Sequence, residues 1–204
     1  MNAEARSAAP LFVPGPHIAE AQRERMAALL FATSYLEYCS FGNRLRLPLV
    51  ALQRRQNIDP YIAHSQGLFD GEGRFMGFFT AATIAEFAQV DAASYYRDEM
   101  RAMDAAYDAF IALYARGSDL FVASLALEEG FRGRGLLNLM LAELRALAHA
   151  KGSPRIVLTV WENSAAMDIY LAKGFRSRAV FDYAVDLFFD RLHFMEWLPP
   201  GETQ

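Results

Sequence analysis

The stretch from Leu120 to Val160 constrains this chain more than any other. Leu120–Leu127 is apolar almost throughout, the pattern of a strand buried in the interior of a sheet. It runs into Glu128-Glu129-Gly130-Phe131-Arg132-Gly133-Arg134-Gly135, a glycine-rich turn. Leu136–Ala150 then places Leu137, Met140, Leu141, Leu144 and Leu147 on one helical face. Gly152-Ser153-Pro154 ends that helix, and Ile156–Val160 reads as a second buried strand. The order strand, glycine turn, amphipathic helix, strand predicts a mixed α/β domain.

A glycine-rich turn at a helix N-terminus presents unpaired backbone N–H groups and the positive end of a helix dipole. Such a site accepts a phosphate or a pyrophosphate. Gly133 and Gly135 permit close approach and unusual φ. Arg132 and Arg134 add positive charge there, the alternative being plain surface charges. No Lys-Ser/Thr follows the turn, which argues against a P-loop nucleotidase. Asn138 stands where a dinucleotide fingerprint needs its third glycine.

Arg132-Gly133-Arg134-Gly135, between an apolar strand and an amphipathic helix, resembles the pyrophosphate loop of the GNAT superfamily of acyl-CoA-dependent N-acetyltransferases. The family pattern is [QR]xxGx[GA]. Arg132 and Gly135 match it, and Leu137 stands at its final Gly/Ala position. Downstream, the strand ending at Val160-Trp161-Glu162 is followed by Asn163-Ser164-Ala165-Ala166-Met167-Asp168-Ile169-Tyr170-Leu171-Ala172-Lys173-Gly174-Phe175. This resembles the family's NxxAxxxYxxxGF, with Asn163, Ala166, Tyr170, Gly174 and Phe175 in register. The resemblance spans about Leu120–Phe175.

The resemblance implies a mostly antiparallel mixed sheet with one splayed parallel central pair, flanked by helices. It implies that amides from Arg132, Gly133, Arg134, Gly135, Leu136 and Leu137 hold the pyrophosphate of acetyl-CoA, the acyl donor. Backbone groups of Leu125, Ala126 and Leu127 would bond pantetheine, and Asn163 would lie beside it. Tyr170 would sit by the sulfur and protonate the leaving thiolate, unless it is only a core aromatic with a polar tip. A leucine at position 137 either pushes the helix off the pyrophosphate or turns into the core. The implied reaction is direct attack by a primary amine of a small molecule or peptide, with no metal and no covalent enzyme intermediate. The alternatives are a longer-chain acyl-CoA N-acyltransferase and a CoA-binding regulatory module without turnover.

The general base is less legible. Glu86 is the first candidate, with Asp119, Glu128, His64 and His193 behind it. Each also reads as a solvated acid or as a histidine satisfied by its neighbours.

The remaining segments frame this unit. Leu11–Val13 reads as a short strand, Ile18–Tyr38 as a helix and Leu47–Gln56 as a second helix. Tyr61–Phe69 and Arg74–Ala82 form a predicted hairpin around Asp70-Gly71-Glu72-Gly73. A long helix over about 91–116 carries Tyr96, Met100, Met103, Tyr107, Phe110 and Tyr114 on one seam. It looks like an insertion, and the seam packs on the domain, forms a homodimer contact or roofs the substrate. A helix over Ser164–Lys173 has Asn163 as its expected N-cap and Gly174 beyond its end. Val180–Phe188 and Leu192–Trp197 read as a closing antiparallel pair, with Asp182, Asp186 and Asp190 facing solvent.

A chain of 204 residues is one domain, residues 1–204, with room for a core. At 22.9 kDa, about 9,600 Å² of folded surface replaces about 33,000 Å² unfolded. Net charge of −4 argues against a nucleic-acid binder. No apolar run approaches bilayer length, so no membrane span is expected. The lone Cys39 allows neither an internal disulfide nor a CxxC pair and reads as a small buried hydrophobe. The N-terminal residues lack a secretory pattern, so a cytoplasmic protein is expected.

Overall fold

A computed structural model describes residues 9–34, 46, 48–91, 97–181 and 190–199, with backbone alone for Leu49 and residues 97–103. Seven strands form one sheet: β1 Leu11–Pro14, β2 Ser65–Phe69, β3 Phe75–Thr83, β4 Leu120–Leu127, β5 Ile156–Trp161, β6 Arg176–Phe181 and β7 Leu192–Trp197. Their spatial order is β1-β2-β3-β4-β5-β7-β6. Every neighbouring pair is antiparallel except β4 and β5, which are parallel. The helices are α1 Glu20–Thr33, α2 Leu49–Leu52, α3 Ile84–Phe87, α4 Arg97–Tyr114, α5 Leu136–Ala150 and α6 Ala165–Ala172.

One face of the sheet is covered by α5 and α6. Met140, Leu141, Leu144 and Ala148 of α5 pack on Leu120, Val122, Ile156 and Leu158. The helix forms where its apolar residues recur at helical spacing, and that stripe is the face it buries. Full burial of each such side chain stabilises the fold by roughly 1.5–3 kcal/mol. The opposite face is shared. Met26, Ala27 and Leu29 of α1 cover Phe75, Phe78 and Ala126, and Phe110 and Ile111 of α4 cover Val157, Phe181 and Phe194.

The excursion through α3 and α4 leaves the β3–β4 hairpin and returns to its base, where Thr83 pairs with Leu120. Ile84 N–H donates to the Asp119 carbonyl and Ala85 N–H to that of Gly117, closing the neck. Arg155 holds the returning chain. It donates to the fully buried Asp119 at 2.9 and 3.0 Å, to Glu196 of β7, and to the carbonyl of Tyr114 at the end of α4. Within the described part of the long-helix seam, Tyr107 and Phe110 pack on the chain's own sheet. Tyr96 lies outside the described residues, as do the side chains of Met100 and Met103.

Several boundaries differ from the sequence expectation. The predicted helix over Leu47–Gln56 is the single turn α2, because the Asn57 side chain donates to the Leu52 carbonyl and ends it. The strand expected from Tyr61 begins at Ser65, since Pro60 sets a 3₁₀ turn over Asp59–His64. The strand expected from Val180 begins at Arg176. The N-cap of α6 is Ser164 rather than Asn163. Cys39, Asp182 and Asp186 fall outside the described residues.

Candidate active site

The central parallel pair is short. β4 and β5 pair only through Leu120 with Ile156, Phe121 with Val157 and Val122 with Leu158. Beyond Val122 the register between β3 and β4 shifts: Ala81 faces Val122, Thr80 faces Ser124, and Ala123 is the extra residue. Such a bulge bends its strand and sharpens its twist. β4 then leaves β5 behind, and Ala123 is exposed in the middle of a central strand. The result is a wedge between the two strands.

The bulge also rephases β4. Leu120 and Val122 face α5, and after the extra residue Leu125 and Leu127 do so too. Glu128 N–H donates to Met76 of β3 at 2.9 Å. Neighbouring residues of a strand point their backbone groups to opposite sides, so Ala126 also turns toward β3. Leu125 and Leu127 turn theirs into the wedge. Of the three residues expected to bond pantetheine, Leu125 and Leu127 offer backbone groups there, whereas Ala126 spends its own on β3 and is buried under α1. The Leu127 carbonyl already accepts from Arg132 Nε at 3.0 Å.

The glycine loop closes the mouth of the wedge. Gly133 and Gly135 have φ of +73° and +78°, the left-handed region that only glycine enters without strain. Gly135 caps α5, and its carbonyl accepts Asn138 N–H at 3.0 Å. The N–H groups of Leu136 and Leu137 in the first turn have no helical carbonyl before them. They stand at the positive end of a helix of 15 residues. Leu137 is half-buried and packs into the core, so its bulk leaves the helix N-terminus open. Arg134 lies over the Phe131 ring at 5.4 Å, and Arg132 braces the end of β4, so both arginines are held beside the loop.

Tyr170 projects from α6 into the core cluster that also holds Leu158, Val160 and Phe175. The helix ends there in a Schellman motif. Phe175 N–H donates to the Tyr170 carbonyl and Gly174 N–H to that of Leu171, both at 3.0 Å, with Gly174 at φ +88°. Burial pushes the Tyr170 hydroxyl up to about 12. Asn163 is exposed, and its side chain donates to Asp190 at 2.8 Å. Asp190 also accepts from the backbone N–H of Asn163 and of Arg191, so it ties the β5–α6 turn to the start of β7. Nothing in the sequence pattern distinguished Asp190 from the other aspartates near it.

Of the base candidates, Glu86, Asp119, Glu128 and His193 hold hydrogen-bond partners, and His64 makes a ring contact. Burial would raise the Glu86 carboxylate, but Lys151 at 2.5 Å and the backbone and hydroxyl of Thr83 outweigh it and hold it at about 2. Glu86 is the reciprocal half of a capping box on α3, paired to the C-terminal end of α5. At that acidity it is a poor proton acceptor. Asp119 is committed to Arg155, and Glu128 accepts from Arg25 of α1 at 2.7 Å. His64 packs edge-on against Phe87 at 5.5 Å. His193 is buried, with Nδ1 2.7 Å from the Ser177 hydroxyl and Nε2 3.4 Å from Glu162.

This arrangement of strands and helices, with its central wedge, is the fold of the GNAT acetyltransferases. No protein-family model and no curated protein matches the sequence. Among solved structures, the C-terminal condensation domain of Ebony, in complex with beta-alanyl-dopamine, superposes with a TM-score of 0.68 at 13% identity, over 94% of this chain and 100% of that one. The PaiA N-acetyltransferase of Thermoplasma acidophilum, in complex with coenzyme A, gives 0.59 at 12% identity over 94% and 99%. Ard1 of Thermoplasma volcanium gives 0.55 at 14% over 94% and 98%. At these identities what is shared is the fold. No helix among the described residues is long and apolar enough to cross a membrane.

Proposed function

We propose that this protein is an N-acetyltransferase that moves the acetyl group of acetyl-CoA to a primary amine of a small molecule or peptide by direct attack. The observation that carries the reading is the wedge opened by the Ala123 bulge, with the N-terminus of α5 at its mouth. In this reading the amides of Gly135, Leu136 and Leu137 hold the pyrophosphate, and Arg132 and Arg134 supply counter-charge. Pantetheine enters the wedge and bonds the backbone of Leu125 and Leu127, taking the place of the strand that β5 no longer provides.

The chemistry then follows from these groups. A neutral amine attacks the thioester carbonyl. The oxyanion that develops is met by a fixed backbone N–H of β4, which needs no reorganisation as charge forms. The intermediate loses a proton from its nitrogen to water and collapses, the C–S bond breaks, Tyr170 donates its proton to the thiolate, and the tyrosinate recovers a proton from water. The hydroxyl, held at about 12 by burial, is protonated at working pH and is a weaker acid than the thiol it serves. Glu86 has no part in this reading, and the ammonium proton leaves to water before attack. The rate therefore rises with pH as the acceptor amine becomes neutral.

The test is calorimetric titration of the purified protein with acetyl-CoA, CoA and decanoyl-CoA. Saturable binding of acetyl-CoA, followed by amine-dependent release of free thiol, is the expected result. Binding of none of the three sinks the reading, and a preference for decanoyl-CoA moves it to longer acyl transfer.

A further inference from the structure

A row of three polar side chains runs from the end of β5 across β7 to the edge strand β6, and the transferase chemistry uses none of them. In the register His193 of β7 faces Val160 of β5, and Met195 of β7 faces Ser177 of β6. Val160 and Met195 lie in the cluster under α5 and α6. Residues two apart or directly opposite share a face, so His193 and Ser177 stand on that one. Glu162 comes two residues after Val160 and extends the same ladder, its N–H donating to the Arg191 carbonyl at 2.8 Å. The Ser177 hydroxyl lies 2.7 Å from His193 Nδ1. Nε2 of that ring lies 3.4 Å from Glu162 Oε1, and Arg191 lies 3.5 Å from the same oxygen. His193 is buried, yet its Nε2 has no hydrogen-bond partner among the described residues. Buried polar groups are nearly always paired, so packing alone does not account for this ring. Ser177, by contrast, is exposed and sits at a bulge, where the register shifts before Ala179. A bulge re-aims a side chain, and β6 is the last strand of the sheet, with no further described strand beside the serine.

We propose that Ser177 is a nucleophile that takes an acyl group from an activated carboxylic ester, with His193 as its base and Glu162 as the group that orients the ring. A hydroxyl within hydrogen-bond reach of a base, itself oriented by a third group, is the signature of an activated nucleophile. The Glu162 carboxylate beside Nε2 favours the tautomer with the proton on that nitrogen, which leaves Nδ1 to accept from the hydroxyl. As Ser177 Oγ attacks the acyl carbon, its proton passes to Nδ1. The bond from that carbon to the leaving oxygen then breaks, and the leaving alkoxide or phenoxide takes the proton from Nδ1. The products are an O-acylserine and the free alcohol or phenol. Because the serine is exposed, a small ester reaches it directly from solvent. The row shares no residue with the transferase reading, so the two stand or fall separately.

The experiment treats the full chain with p-nitrophenyl acetate, stops the reaction at intervals and maps acetylated residues by peptide mass spectrometry. Ser177 should gain its acetyl group about a hundredfold faster than any other serine of the chain, the worth of a positioned base. His193→Gln should slow that step by a similar factor, and Glu162→Gln should slow it as well. Ser177→Ala should remove this acetylation and the matching release of p-nitrophenolate, with no serine nearby replacing it. Acetylation of Ser177 at the rate of the other serines overturns the proposal, and so does an unchanged rate in His193→Gln. If His193→Gln does not fold, the comparison among serines in the parent chain and the half-exposed Glu162→Gln decide the question, and an unchanged rate in the latter removes the carboxylate from the row.

Discussion

Phe175 donates its backbone N–H to the carbonyl of Tyr170 at 3.0 Å, and the two rings meet at 5.3 Å between centroids. One Schellman motif thus sets both the end of α6 and the position of the tyrosine. The spacing YxxxGF is the spacing of that motif: the third-last helical residue, the left-handed glycine and the residue after it. A hydrophobic contact between first and last members is part of the same device.

Tyr170→Phe keeps the ring and its packing and removes only the hydroxyl. We expect acetyl-CoA affinity within about twofold of the parent and kcat lower by about a hundredfold, the usual worth of a positioned acid. Calorimetry and steady-state kinetics on the same preparation read the two effects. A variant with unchanged kcat would remove Tyr170 from the chemistry.

Gly135→Ala forces a side chain into φ +78° at the cap of α5. Left-handed backbone costs about 1–2 kcal/mol for a residue with a Cβ. Part of that falls on the loop proposed to meet the donor, so the Kd for acetyl-CoA should rise about tenfold. Thermal melting separates this from global unfolding, and an unaltered Kd would argue that the loop does not hold the donor.

Glu86→Gln tests the structural role that Lys151 and Thr83 give this carboxylate. Its acidity is depressed from 4.5 to about 2, so the stability it contributes is present above pH 4.5 and is lost as pH falls toward 2. The pair is partly exposed, which screens it, and the variant should lose about 1 kcal/mol at pH 7. Urea midpoints at pH 7 and pH 3 should show a smaller acid loss than in the parent. Turnover should be unchanged, and a large fall in kcat would restore Glu86 as a base.

Arg155→Met leaves Asp119 buried with its charge uncompensated. Breaking a buried pair by removing one partner typically costs about 3–5 kcal/mol. Denaturant melting should show this loss, with α4 loosening first because Arg155 also holds the Tyr114 carbonyl. A drop below about 1 kcal/mol would make the cluster a surface feature in energetic terms.

Tyr170 carries a second consequence. Its hydroxyl stays protonated to about pH 12 in the folded chain and to about 10 in the unfolded one. The unfolded state therefore loses its proton first, and stability should fall as pH rises from about 10 toward 12. Melting temperatures of the parent and Tyr170→Phe across that window should diverge, and parallel curves would deny the burial.

What the sequence alone determined is local. An apolar run, a glycine turn and a helical stripe define β4, the loop and α5, because backbone freedom and side-chain spacing act within a few residues. The same locality made Gly174 the end of α6 and placed Tyr170 four residues before it. Tertiary structure decided the rest. The Ala123 bulge is invisible in a strand where every residue but Ser124 is apolar, since no alternation marks a change of phase. Yet that bulge opens the wedge, directs Leu125 and Leu127 into it and withdraws Ala126. Glu86 found its partner in Lys151, 65 residues away, and Asn163 found Asp190, 27 residues away. Leu137 turned into the core because the hydrophobic stripe of α5 already faced that way. Proximity between distant segments is set by how the sheet and its helices pack, and no short window of sequence contains it.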